Sequence, residues 1–151
     1  MKIIRTADGS HTLASPYAGE HYHSQHGALQ EGQHVFIQHG VATLAPQDEI
    51  RILEMGFGTG LNALLTWRYG SERNQRISYT SIEAHPVPEE VVRALNYEGL
   101  IAAGKEIFIQ LHQTPWNEMR SLTDLFSLHK RHARLEEVKF DFPFDIVYYD
   151  A

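Results

Sequence analysis

The stretch Ile50-Arg51-Ile52-Leu53-Glu54-Met55-Gly56-Phe57-Gly58-Thr59-Gly60-Leu61-Asn62 decides how the chain is built. An apolar run, an acid and three glycines at alternate positions lead into Ala63-Leu64-Leu65-Thr66-Trp67. The pattern predicts a buried strand, a tight turn and then a helix. Glycines in the turn remove side chains where the backbone bends sharply and where a ligand must approach it. The free amides of the first helical turn then face that ligand. A nucleotide-like cofactor at this turn is the natural reading.

Spacing narrows the ligand class. The dinucleotide fingerprint G-x-G-x-x-G would place its third glycine at Leu61, whereas the third glycine is Gly60. A phosphate-binding loop ends in Gly-Lys-Ser/Thr, which does not occur here. Glu54 at the strand's end would also repel a phosphate, and suits a cofactor with a positive end and a ribose. Glu54-x-Gly56-x-Gly58-x-Gly60 resembles motif I of the S-adenosylmethionine-dependent methyltransferases, in which this loop wraps the methionine part and the ribose. A second acid agrees. Ile77-Ser78-Tyr79-Thr80-Ser81-Ile82 alternates, is rich in β-branched residues and ends in Glu83. Its distance from the turn is close to the roughly 20 residues that separate the glycines from the ribose-binding acid in doubly wound folds.

Length and composition set limits. With 151 residues and 42% hydrophobic content, the chain suffices for one domain with a core. It has no cysteine, so disulfides and thiolate metal sites are excluded. No charged-then-apolar leader opens it and no apolar run approaches the roughly 18 residues that span a bilayer. A soluble, cytoplasmic protein is expected. The formal net charge of −6 leaves no global basic field for a phosphate backbone, so any nucleic acid must be held by a local patch or by residues outside this chain. The chain stops just after the apolar strand Phe144-Asp145-Ile146-Val147-Tyr148-Tyr149-Asp150. That predicts the front portion of a longer protein, lacking about three final strands of the sheet.

Along the chain, Ile3-Ile4 and Thr12-Leu13 flank the turn-forming Ala7-Asp8-Gly9-Ser10 and predict a small hairpin. His34-Val35-Phe36-Ile37 reads as a further strand piece, and Tyr17 to Gln33 as a loop with a helical segment. Glu49 to Phe57 is the first sheet strand, Leu61 to Tyr69 its crossover helix, and Ile77 to Glu83 the second strand. Pro88 opens a helix from Glu89 to about Leu95, resumed after a break through Ile101 to Leu111. Leu125 to His129 and Asp145 to Asp150 read as strands, with Ala133 to Val138 as helix between them. Alternation of strand and helix predicts a parallel sheet with right-handed crossovers and a ligand at its C-terminal edge, where Glu54, Glu83 and Asp150 fall. The expected organisation is an N-terminal β-rich extension over 1–45 and a partial methyltransferase domain over 46–151. Lys130-Arg131-His132-Ala133-Arg134 is a basic cluster whose simplest reading is a solvated loop, with nucleic-acid contact the alternative.

Several blocks resemble one family more closely. Glu54-Met55-Gly56-Phe57-Gly58-Thr59-Gly60-Leu61-Asn62 is similar to the glycine loop of the MnmC-type methyltransferases. His21-Tyr22-His23-Ser24-x-x-Gly27-Ala28 to Glu31, then His34-Val35-Phe36-Ile37, resembles that family's N-terminal signature. Ile82-Glu83-Ala84-His85-Pro86 resembles its second-strand end, and Tyr148-Tyr149-Asp150-Ala151 the start of its Asp-Ala/Gly-Phe-x-Pro motif, closest to the single-domain members. The resemblance implies a Rossmann-like class I fold and S-adenosyl-L-methionine as cofactor. It also implies methylation of the 5-aminomethyl group on a tRNA wobble (2-thio)uridine, with a separate flavin-dependent or aminomethyl-forming enzyme acting upstream. The acid that follows the third strand in related methyltransferases is not evident, since the charged residues around Lys130 to Ala133 are all basic. The adenine contacts therefore stay open.

Methylating an amine needs a neutral nitrogen lone pair aligned with the methyl–sulfonium bond at about 3 Å. An alkyl ammonium, with a pKa of about 10, must first lose its proton. Asp150 is the expected amine-orienting group or base; the alternative is that it caps a helix or bonds the cofactor. Glu83 should take the ribose hydroxyls. Glu54 should face the cofactor's amino-acid end, directly or through water, or else turn inward. Gly56, Gly58, Thr59 and Gly60 supply backbone, and Asn62 either bonds the cofactor's carboxylate or caps the turn. Tyr22 and Ser24 resemble family positions that lie over the cofactor. Phe57 either covers the cofactor or packs against the sheet, and Trp116 reads as a packing anchor. Of the 10 histidines, His21-x-His23-x-x-His26 is the best metal candidate, but no H-E-x-x-H supports it and no metal is expected. Two other functions fit the same residues: a small-molecule methyltransferase of this fold, favoured by the acidic balance, or a non-catalytic fragment.

Overall fold

The computed structural model describes residues 1–14, 27–101 and 104–149, with only the backbone of Glu98 and Leu100. Tyr22, Ser24 and Asp150 lie outside the described residues, as do His21, His23 and His26.

Strands β1 (Lys2–Arg5) and β2 (His11–Ala14) form the expected antiparallel hairpin, Lys2 opposite Ala14 and Arg5 opposite His11. Its turn caps the next helix, α1 (Ala28–Gly32), from a distance in sequence. Thr6 Oγ1 accepts the Ala28 N–H at 3.2 Å, Ser10 Oγ the Leu29 N–H at 3.1 Å, and Asp8 Oδ2 the Gln30 N–H at 3.0 Å. These are first-turn amides with no partner inside the helix. Burial alone would raise the Asp8 carboxyl, but the hydrogen bonds from Ser10, Thr6 and the Gln30 amide outweigh it and bring it down to about 2. A carboxyl lowered on folding stabilises fully above its ordinary value of 3.8 and loses that contribution as the pH falls through about 2. Asp8→Asn should therefore cost about 1 kcal/mol at pH 7, discounted for solvent screening, and nothing near pH 2. Urea melts of the two proteins across that range measure the difference.

The chain does not form a strand at His34 to Ile37. Gln33–Gln38 is a π-helical turn closed by the His39 N–H on the His34 carbonyl at 3.0 Å. Packing overrides the β propensity of these residues, since the turn buries both Phe36 and Ile37 and sets Phe36 5.2 Å from the Tyr148 ring.

The main sheet contains β3 (Ile50–Met55), β4 (Ile77–Glu83), β5 (Met119–Thr123), β6 (Phe126–His132) and β7 (Ile146–Tyr149), in the order β5-β6-β4-β3-β7. Helix α2 (Leu61–Arg73) connects β3 to β4. The short helices α3 (Glu89–Arg93) and α4 (Tyr97–Leu100), then α5 (Gly104–Gln113), connect β4 to β5. β3, β4, β6 and β7 are parallel as expected, with Glu54 opposite both Ser81 and Tyr148. This is the Rossmann-like arrangement, and its C-terminal rim carries the glycine turn and the end of β4.

Two further expectations need correction, and the last strand is less buried than β3 and β4. β5 pairs antiparallel with β6, so the sheet is not wholly parallel; its residues are mostly exposed, as at a polar edge strand. Ala133 to Val138 holds only a 3-10 turn at Leu135–Glu137, because Leu135 is 46% exposed and no apolar face exists to dock a helix. β7 is buried on one side only: Tyr148 is in the core, while Val147 and Tyr149 are exposed. One cluster joins Leu13, Phe36 and Val41 to Ile52, Leu64, Tyr79 and Tyr148, so the N-terminal segment and the sheet share a core. Among the described residues no helix is long and apolar enough to cross a membrane.

Candidate functional site

The turn between β3 and α2 is tied to the end of β4. The Gly56 N–H donates to the Ile82 carbonyl at 2.8 Å, and the Gly58 N–H to Glu83 Oε2 at 3.0 Å. Glu83 Oε1 accepts the His85 N–H at 2.8 Å. Each oxygen accepts one amide and keeps a lone pair, which is what a pair of ribose hydroxyls would use. Gly56, Gly58 and Gly60 have φ of 89°, 52° and 79°. A Cβ on Gly56 would meet no atom within 4 Å, so the rim beside the turn is open to a ligand.

Glu54 behaves differently from Glu83. It is 2% exposed and turned inward, and its Oε2 accepts the Ser81 hydroxyl at 2.8 Å. Burial pushes its carboxyl up to about 8; hydrogen bonds from Ser81, Tyr79 and Asn62 oppose this and the Glu83 charge adds to it. Near neutral pH Glu54 is largely uncharged, so the expected repulsion of phosphate falls to Glu83 instead. A carboxyl raised on folding holds a proton that the unfolded chain has released, so stability is lost as the pH climbs from 4.5 through about 8. Glu54→Gln should flatten that loss, so that wild type and variant melt alike near pH 5 and diverge, variant higher, by pH 8.

Asn62 makes no capping bond at the start of α2; its amide turns to Glu54, and its buried Oδ1 has no hydrogen-bond partner. The capping alternative is thus excluded, and an acceptor is left over near the turn. The Thr59 side chain is held by the Tyr97 hydroxyl, which also donates to the His11 carbonyl. Phe57 is 4% exposed and packs backward, 5.3 Å from the His112 ring and 6.0 Å from Trp116. Phe57 and Thr59 therefore offer a ligand their backbone rather than their side chains.

Two residues at the back of the turn are given no place at the turn by the sequence. His112, at the end of α5, places Nε2 2.9 Å from the Thr59 carbonyl. Burial brings its imidazole down to about 4, against the Thr59 bond, so it is neutral. Lys130 on β6 is 1% exposed, not in a solvated loop. Strand parity carries the signal, because Phe126, Leu128 and Lys130 alternate inward on one face. A cavity of about 460 Å³ opens beside them, bounded by Val87, Val92, His112, Pro115, Trp116 and Lys130. Among the described residues no group of three or more His, Cys, Asp or Glu could hold a metal ion.

No family model matches the chain. The bifunctional tRNA 5-methylaminomethyl-2-thiouridine biosynthesis protein MnmC of Burkholderia multivorans is 40% identical over 87 residues, covering 54% of this chain and 13% of that protein. The Burkholderia mallei protein of the same name is 39% identical over 96 residues, covering 60% of this chain and 14% of its own. The crystal structure of MnmC2 from Aquifex aeolicus matches with a TM-score of 0.74 and 30% identity, over 99% of this chain and 49% of that one. The chain is similar to these MnmC proteins over part of their length. The similarity to MnmC2 also bears out the Rossmann-like fold. The chain spans under a sixth of the length of these curated MnmC relatives and about half of the solved MnmC2 chain.

Proposed function

We propose that the turn Gly56 to Gly60 and Glu83 hold S-adenosyl-L-methionine for an N-methyltransferase acting on tRNA. The reaction would convert the 5-aminomethyl group of a wobble (2-thio)uridine to methylaminomethyl. The observation that carries this reading is Glu83: a carboxylate at the end of β4, oriented by the Gly58 and His85 amides. Names of MnmC relatives that refer to tRNA 5-methylaminomethyl-2-thiouridine biosynthesis supply the substrate.

In this reading Glu83 binds the ribose hydroxyls and the backbone of Gly56, Phe57, Gly58, Thr59 and Gly60 lies along the methionine part. The first-turn amides of α2 serve the cofactor's charged amino-acid end, with Asn62 assigned to the same end. Glu54 acts from behind, through Asn62. The resemblance would assign Tyr22 and Ser24 to positions over the cofactor, and Asp150 to orienting the amine and taking its proton. When bound, the cofactor supplies an electrophilic methyl on a sulfonium. The chain's own task is to exclude water and keep the amine neutral. A cytoplasmic location and an upstream aminomethyl-forming enzyme belong to the same proposal.

Transfer of labelled methyl from S-adenosylmethionine to tRNA that still carries the aminomethyl group tests the reading, using the full-length protein. Label appearing in the wobble nucleoside supports it. Cofactor binding without transfer to that tRNA would remove the substrate, and strong transfer to a small amine instead would favour the small-molecule alternative.

A further inference from the structure

Lys130 combines three features that rarely occur together. Its ammonium is buried, and no described carboxylate pairs with it; its hydrogen bond goes to the His112 carbonyl, at 2.9 Å. Two aromatic faces lie beside it, with Nζ 5.2 Å from the Phe57 ring centroid and 4.7 Å from that of Trp116. Both distances lie within the roughly 6 Å over which a cation is attracted to a ring face. A buried lysine without a carboxylate is uncommon enough to need a reason.

The reason lies in what those partners touch. Phe57 belongs to the glycine turn, and the His112 ring meets the Thr59 carbonyl of the same turn. One ammonium therefore grips the back of the turn at two points, one at Phe57 and one through His112. The geometry points to Lys130 as a positioning residue that holds the Gly56 to Gly60 turn in its ligand-binding shape from the side opposite the cofactor. This inference rests on the reading that the turn holds S-adenosyl-L-methionine. Lys130 touches neither cofactor nor substrate in it; its charge sets the turn's order, and through that the affinity.

Burial brings the Lys130 ammonium down to about 8, so its charge is lost within an accessible pH range. The other titratable or charged groups near it are His112 on α5 and Glu89 on α3, which line the same cavity, His132, whose ring meets Trp116, and Glu54, bonded to Ser81, the residue opposite Lys130. His112 is already neutral there. Glu54 titrates near the same pH and must be separated from Lys130 by comparing variants.

The test is calorimetric titration of S-adenosylhomocysteine into the full-length protein and its Lys130→Met and Lys130→Arg variants from pH 7 to 9.5, with a thermal melt of each. Lys130→Met should bind about tenfold more weakly at pH 7, since it keeps the apolar stem but not the charge. Wild-type affinity should fall toward that of the Met variant as the pH passes about 8. Lys130→Arg keeps its charge throughout and should lack that fall, leaving only the component shared with Glu54. Equal affinity of wild type and the Met variant at pH 7, or superimposable wild-type and Arg profiles, would overturn the assignment. If the Met variant does not fold, the wild-type and Arg profiles decide alone. Absence of binding by the wild type at every pH would instead overturn the cofactor reading beneath it.

Discussion

Glu83→Ala is expected to weaken S-adenosylhomocysteine binding by about 100-fold or more, the largest effect of any single substitution at the site. Hydrogen bonds to a charged acceptor contribute about 1.5–3 kcal/mol each, and a ribose offers two. The alanine would also release the Gly58 and His85 amides, which Glu83 accepts at 3.0 and 2.8 Å, so the turn would lose an anchor as well. Glu83→Gln separates the two losses. It keeps an acceptor for one amide while removing the charge, and should fall between wild type and alanine. Circular dichroism should show little change in either variant, because Glu83 is only half-buried at the sheet's rim. An alanine variant that binds as tightly as wild type would mean that no ribose sits on Glu83.

Gly60→Ala should be the most damaging change to the turn itself. Gly60 has φ 79°, a left-handed conformation that costs an L-residue roughly 1–2 kcal/mol. Its Cβ would lie 2.8 Å from His112 Nε2 and 3.2 Å from the Phe57 ring. His112 would have to withdraw, breaking its 2.9 Å contact with the Thr59 carbonyl and loosening its ring packing on Phe57. The sum is about 2–4 kcal/mol, enough for a clear fall in melting temperature and a further loss of affinity. Removing the obstruction checks the cause. In a His112→Ala background the added methyl should cost only the backbone part, so the two substitutions should be clearly non-additive. Additive losses would show that His112 does not back the turn.

The sequence disclosed those parts of the fold in which one local pattern agrees with the tertiary environment. β3 and β4 are parallel and buried, so their apolar, β-branched runs read directly as strands, and the glycines between β3 and α2 could serve only a turn. Glu83 was legible for the same reason, as the polar residue that ends a buried run at the expected distance. β5 was not, because an exposed edge strand such as Met-Arg-Ser-Leu-Thr needs no apolar alternation. The π-helical turn at Gln33–Gln38 is hidden by its β-branched and aromatic content, since only tertiary packing, with Phe36 against the Tyr148 ring, buries both Phe36 and Ile37. Lys130 was misread by composition. Four of the five residues from Lys130 to Arg134 are basic or histidine, which suggested solvent, yet the strand runs on to His132 and carries Lys130 inward. Glu54 is legible as the acid near the end of β3, but which way it faces depends on Ser81, a neighbour that only strand pairing brings opposite it.

The central claim is that the turn and Glu83 form a nucleoside-sulfonium site. Isothermal titration of the full-length protein with S-adenosylhomocysteine, alongside a dinucleotide, addresses it most directly. The account predicts one site per chain for S-adenosylhomocysteine and none for the dinucleotide. Saturable dinucleotide binding with no heat from S-adenosylhomocysteine would contradict it.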